Sequence, residues 1–259
     1  MTITTADVER FILARQEAEA SNAEINRELA IVKRAFSLGS RAGKILTKPY
    51  IPALKENNVR TGFFERDQIE AVLRHLRAPL RPLITFFYIT GCRKNEGLTL
   101  QWRQIDFRSG TVILDPGTTK NDGGRVFPVT QELRELLVAQ KAATDQLWRE
   151  TGIMSPWVFH RNGTQIKGYD KAWRSACRKA GVPGRHVHDF RRTTVRRLEQ
   201  AGVSRSVGMK LTGHKTESVY RRYAIVSQSD LEDATRRLDD IADRATPNAN
   251  GTHEVMSRK

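Results

Sequence analysis

The sequence predicts a mainly α-helical fold with one small antiparallel β-sheet, an α+β arrangement. Three observations predict it. Apolar residues recur at three- and four-residue spacing along most of the chain, as in Ile25, Leu29, Val32 and Phe36. Strand-like runs are confined to residues 104–107, 111–114 and 125–129. Strands and helices do not alternate, which argues against a doubly wound sheet.

The elements follow in order. Residues 4–40 read as helix, with Thr5-Ala-Asp7 as candidate caps and Val8, Phe11 and Ile12 on one face. Ser21 is expected to cap a second helix, with Glu24 three residues on completing a capping box. Gly39 and Gly43 punctuate its end. Residues 46–62 have turn chemistry and no period, so they are expected to form a linker behind a first unit of residues 1–60. Gln68–Leu76 predicts a helix with Ile69, Val72, Leu73 and Leu76 inward. Pro82 suits N1 of the next helix, whose apolar run Leu83–Thr90 is expected to be buried. The three strands follow, separated by Arg108-Ser-Gly110 and a Gly-rich loop at 115–124. Further helices are expected near 131–149, 169–180, 189–201, 204–211 and 229–243, with a disordered tail over 246–259.

Composition narrows the function. With 259 residues, 39% hydrophobic and 28% charged, the chain reads as a soluble globular protein of two unequal domains. The two cysteines, Cys92 and Cys177, are too few for a disulfide framework and read as reduced thiols. The longest apolar run, Pro79–Cys92, is broken by Arg81 and falls short of the roughly 18 residues a membrane span needs. The start, Met1 to Asp7, lacks the basic and apolar segments of a signal peptide, so a cytoplasmic location is expected. A net charge of +15 points to a polyanionic partner.

Nearly half of that charge is local. Residues 185–223 hold ten Lys/Arg and three Asp/Glu. His188 and Arg191 are one helical turn apart, and the segment closes on Tyr220-Arg221-Arg222-Tyr223. A guanidinium offers a planar fork of donors that matches two phosphate oxygens. A phenol is a poor nucleophile at its free pKa near 10, but cationic donors and a proton acceptor can activate it. Attack on a phosphodiester would store the bond as a phosphotyrosine, which strand transfer needs and hydrolysis does not.

These residues resemble a known family. Thr90-Gly-Cys-Arg93-Lys-Asn-Glu96-Gly-Leu-Thr-Leu-Gln-Trp102 resembles the first arginine box of the tyrosine recombinases, or phage integrases. His188-Asp-Phe-Arg191 resembles their His-x-x-Arg box, and Leu211-Thr-Gly-His214 with Tyr223 resembles their closing histidine and nucleophile. Thr119-Lys120-Asn121 is similar to the segment carrying the family's mobile lysine. The match runs in order over residues 61–243.

The resemblance implies a fold and a chemistry. A tyrosine recombinase catalytic domain would occupy residues 61–245, behind a truncated helical core-binding domain at 1–60. Arg93 and Arg191 would clamp the scissile phosphate, with His188 and His214 as further donors. Tyr223 would attack, His188 would take its proton, and Lys120 would protonate the leaving 5′-oxygen. No metal or other cofactor is implied. The implied partners are double-stranded DNA, further copies in a homotetramer joined through the C-terminal helix, and accessory DNA-bending proteins.

The same residues admit other readings. Arg93 could serve only as an ion pair with Glu96, which reads as structural, orienting Arg93 or His188. Cys92 reads as core, His75 and His160 as surface or half-buried. Cys177, His186 and His188 match no common zinc spacing. Tyr220 is a local rival to Tyr223, disfavoured by its spacing from His214. Leu231, Ala234, Leu238 and Ile241 form the stripe expected to dock on a neighbouring protomer. A non-catalytic DNA-binding remnant is the main alternative; an RNA-binding role lacks a stacking-aromatic motif.

Overall fold

A computed structural model describes residues 3–56, 62–114, 124–223, 231–232, 235–236 and 239. Lys120 and its loop, most of the helix expected at 229–243 and the tail at 246–259 lie outside the described residues. The chain divides into two compact units, Met1–Thr61 and Gly62–Lys259.

The first unit is a pair of helices, α1 (Thr5–Glu17) and α2 (Asn22–Arg41). Thr4, one residue earlier than expected, caps α1, and Asp7 returns the bond to the Thr4 backbone at 2.8 Å. Ser21 caps α2, but the Glu24 carboxylate is drawn to Arg15 at 3.6 Å. Val8, Ile12, Ile25, Leu29 and Ile51 form the core, while Phe11 is exposed, against expectation. Part of the expected linker belongs to this core. The Asn26 amide brackets the Leu54 backbone, donating to its carbonyl and accepting from its N–H, both at 2.8 Å. Turn-like composition concealed that tertiary pairing.

The second unit begins with α3 (Arg66–Arg74), α4 (Arg81–Thr90) and α5 (Lys94–Leu98). Pro82 falls at the second position of α4, where its missing N–H still costs nothing. Helix α4 is apolar all round and is the spine of the core, with Leu83, Ile84, Phe86, Phe87, Tyr88 and Ile89 buried. Each such side chain contributes about 1.5–3 kcal/mol by leaving water.

Strands β1 (Ile105–Asp106), β2 (Thr111–Leu114) and β3 (Arg125–Pro128) pair antiparallel in the order β1-β2-β3. Val112 faces Phe127 across the ladder and both are buried; Ile113 and Val126, on the other face, are exposed. Then come α6 (Gln131–Thr151), the hairpin β4 (His160–Arg161) and β5 (Thr164–Gln165), α7 (Asp170–Lys179), α8 (Asp189–Gln200), α9 (Arg205–Thr212) and α10 (Glu217–Arg221). The β4–β5 hairpin corrects the expectation of a single sheet. It, α5 and α10 are too short to show a hydrophobic period.

Phe190, in the first turn of α8, orients that helix. Its ring lies 4.7 Å from Phe64, 5.4 Å from Trp173 and 5.6 Å from Tyr88. The residues on either side of it, Asp189 and Arg191, are thereby fixed where α8 meets the end of α4.

Candidate active site

Five of the six residues singled out from the sequence fall within the described chain, and the fold brings them together. Arg93 stands at the N-terminus of α5. Glu96 accepts from the Arg93 backbone N–H at 2.7 Å and from its Nη1 at 3.0 Å. The Arg93 Nη2 donates to the carbonyl of Gly213 at 2.9 Å. The ion pair with Glu96 therefore exists, and it holds a side chain that remains about a third exposed.

Arg191 is buried, at 3% exposure. Its Nη1 donates to the Gly91 carbonyl at 3.1 Å and its Nε to His214 Nε2 at 3.1 Å. Burial lowers the guanidinium to about 10, aided by Arg93 and Arg125, and it stays charged at neutral pH. Gly91 ends α4 in the left-handed region, at φ +59°. A Cβ there would lie 2.7 Å from Thr194 Oγ1 and 3.3 Å from the Arg191 Cα. Only glycine brings the two helices this close.

His214 takes a different part from the donor role implied by resemblance. Its Nε2 accepts from Arg191, so the proton sits on Nδ1, which faces Thr212 Oγ1 at 2.7 Å. The Thr212 hydroxyl donates onward to the Gly208 carbonyl at 2.7 Å. Burial first, then Arg191, Arg93 and Arg125, push the imidazole down to about 3. A neutral His214 holds Arg191 in place and presents no N–H to a phosphate in this arrangement.

His188 precedes α8, and its Nε2 lies 3.1 Å from the Tyr223 hydroxyl. Burial lowers its pKa, with Arg191 adding to the effect, so it is neutral and able to accept. The Tyr223 ring is 4.9 Å from His214, and the Arg192 guanidinium carbon is 5.9 Å from the ring centre. Tyr220 points the other way. It is fully buried, burial pushes its hydroxyl up to about 12, and a Cβ on Gly208 would come within 2.4 Å of that oxygen.

The sequence reading missed Arg125. It opens β3, where period-two alternation puts it on the inward face with Phe127. Its Nη1 and Nη2 reach Glu96 at 3.1 and 2.8 Å, so among the described residues Glu96 joins Arg93 to Arg125 and does not bond His188. That alternation was the available signal. Arg125 and Gly124 line one cleft with Arg93, Lys210, His214 and Lys215. Lys120 lies outside the described residues, in the segment just before Gly124.

Cys92 lies close by but is buried, and burial pushes its thiol up to about 12. Among the described residues no three His, Cys, Asp or Glu side chains are grouped as a metal site. No helix there is long and apolar enough to cross a membrane.

Comparison with known proteins meets this geometry. Residues 62–229 match the Phage integrase family. The chain is similar to the integrase of Salmonella phage P22, 27% identical over 235 residues, covering 85% of this chain and 58% of that protein. It is also similar to tyrosine recombinase XerC of Lactobacillus delbrueckii subsp. bulgaricus, 25% identical over 241 residues, 88% of this chain and 80% of that one. The chain thus spans little more than half of the P22 relative. Among solved structures, the Tn1549 transposon integrase in complex with circular intermediate DNA superposes with a TM-score of 0.71 at 17% identity, covering 90% of this chain and 85% of that one. A lambda integrase dimer bound to a core site gives 0.67 at 17%, covering 86% and 65%. The fold is shared with both.

Proposed function

The chain belongs to the phage integrase family, and on that premise we propose that it is a site-specific recombinase of a phage or other mobile element, acting on double-stranded DNA through a 3′-phosphotyrosine. The observation that carries this reading is the 3.1 Å approach of the Tyr223 hydroxyl to a neutral His188 beside Arg191.

In the forward step Tyr223 attacks the scissile phosphorus and its proton passes to His188. Arg93 and Arg191 stabilise the charge that gathers on the non-bridging oxygens. The bond to the 5′-oxygen breaks, and Lys120 supplies the proton that makes it a 5′-hydroxyl. In the second step a 5′-hydroxyl from the partner duplex attacks the phosphotyrosine, and the same groups run in reverse. His214 contributes by fixing Arg191, and the positive charge is supplied by side chains.

The first unit suits a share in DNA binding. Arg27, Arg34 and Arg41 are exposed at seven-residue spacing along α2, about 10.5 Å apart on one face. Assembly as a homotetramer through the C-terminal helix, with accessory bending proteins, completes the proposal, since exchange between two duplexes requires four cleavages.

The deciding experiment uses a nicked suicide substrate carrying the element's attachment site. The expected result is a denaturation-resistant protein–DNA adduct, absent from Tyr223→Phe. A parent chain that binds the site and yields no adduct would mark it as a non-catalytic DNA-binding remnant.

A further inference from the structure

A largely buried arginine outside the implied catalytic set is held at the site by a single carboxylate. The Arg125 side chain is only 10% exposed. Its two terminal nitrogens are spent on Glu96, while its Nε is buried with no hydrogen-bond partner among the described residues. Leaving a charged group's donor dry and unpaired is costly, and a buried ion pair is weak evidence for stability. The surroundings are also specialised to admit it. A Cβ on Gly213, at φ +68°, would lie 2.3 Å from Arg125 Nη1, and the carbonyl of the same Gly213 receives Arg93 Nη2.

The charge balance suggests what the arrangement is for. Arg93 alone against Glu96 is a neutral pair, and a neutral pair attracts a phosphate poorly. With Arg125 on the other edge of the same carboxylate, the three groups carry a net positive charge while Glu96 still orients Arg93. Arg125 also acts on the opposite arm, for it is among the charges that depress Arg191 and His214.

We propose that Arg125 is a positioning and charge-balancing residue of the phosphate clamp: it neutralises Glu96, so that Glu96 can hold Arg93 without cancelling its charge. Arg125 does not touch the phosphate. It sets the field in which Arg93 and Arg191 bind it. The cleavage arm of the test rests on the recombinase reading above, and the anion-binding arm does not.

The test compares the parent chain with Arg125→Lys, Arg125→Met and the double variant Glu96→Gln/Arg125→Met. Binding of inorganic tungstate, a phosphate mimic, is measured by calorimetry on the free protein. Single-turnover cleavage is measured on the suicide substrate, and thermal melting reports folding. Arg125→Met is expected to weaken tungstate binding and slow cleavage by about tenfold each. Arg125→Lys, which keeps the charge and loses the fork, should stay within about threefold of the parent in tungstate binding. The double variant, with cation and anion both removed, should recover tungstate binding to the same margin even where Arg125→Met folds poorly. Equal losses in Arg125→Lys and Arg125→Met, or a folded double variant that recovers nothing, would overturn the proposal and leave Arg125 a structural strut. If tungstate binding follows the expected order while the parent never cleaves DNA, the charge-balancing role stands and the recombinase reading fails.

Discussion

The Nε2 of His188 and the hydroxyl of Tyr223 lie 3.1 Å apart, although 35 residues separate them in sequence. His188 is exposed and Tyr223 half-buried, with the buried Arg191 in the first turn of the helix that His188 precedes. Desolvation and the neighbouring Arg191 lower the His188 pKa, so a neutral imidazole with its lone pair on Nε2 can take the phenol's proton. A general base at this distance typically contributes 10²–10⁴-fold. His188→Ala should therefore slow suicide-substrate cleavage by about 10²-fold or more, with DNA affinity little changed. Cleavage at the parental rate would remove His188 from the proton path.

The two tyrosines make opposite predictions. Tyr220 is fully buried with its hydroxyl packed over Gly208, so it cannot reach a phosphate without unfolding its helix. Tyr220→Phe should keep adduct formation within about threefold of the parent and shift stability by about 1 kcal/mol or less. Tyr223→Phe should abolish the adduct. An adduct that survives the second substitution and not the first would reverse the assignment.

In the proposed clamp Arg191 would work through geometry as well as charge. Its Nη1 and Nε are committed to Gly91 and His214, which aims the remainder of the fork. Lysine carries the charge without the fork. Arg191→Lys should lower the cleavage rate by about 10²-fold while the protein melts within a few degrees of the parent. Retention of most of the rate would show that charge alone suffices.

Gly91→Ala tests the close approach of α4 and α8. A Cβ would meet Thr194 Oγ1 at 2.7 Å, at a φ of +59° that alanine disfavours. A residue held in such a region costs about 1–3 kcal/mol before the collision is relieved. The expected outcome is a melting point lowered by several degrees together with slower cleavage, because Arg191 is displaced with the helix. Unchanged melting would mean that the junction is looser than its distances imply.

His214 predicts a pH dependence of stability. Its folded pKa of about 3 lies below the unfolded value near 6.5, so the unfolded chain binds the extra proton between the two. The sign is then definite: the contribution is full above about pH 6.5 and is lost as pH falls toward 3. Each such histidine adds a slope of up to about 1.4 kcal/mol per pH unit across that window. Denaturant melts between pH 7 and 5 should show this slope, and His214→Asn should flatten it. A slope that survives the substitution would assign it to other groups.

Much of this was legible in the linear chain. The α4 core helix declared itself by an unbroken apolar run, and the β2–β3 register by its alternation. Arg93, His188, Arg191 and Tyr223 stood out because reactive side chains at family spacing sit at the ends of elements, where local signals such as glycines and caps are strong. Arg125 did not stand out, since strand alternation places it on the inward face but gives no sign of its partner. Its burial depends on Glu96, 29 residues away, and no local pattern encodes that pairing. The packing of Ile51 and Leu54 on α2 was hidden for the same reason.

The sequence by itself determined the class of fold, the inventory of cations and the neighbourhood of the candidate nucleophile, because periodicity, charge and motif spacing are local properties. Tertiary structure alone decided which tyrosine meets His188, which nitrogen of His214 accepts from Arg191 and which arginine pairs with Glu96 beside Arg93. Those outcomes depend on burial and on hydrogen bonds between residues far apart in the chain. Most buried polar atoms find a partner, and that partner is chosen by packing rather than by sequence distance.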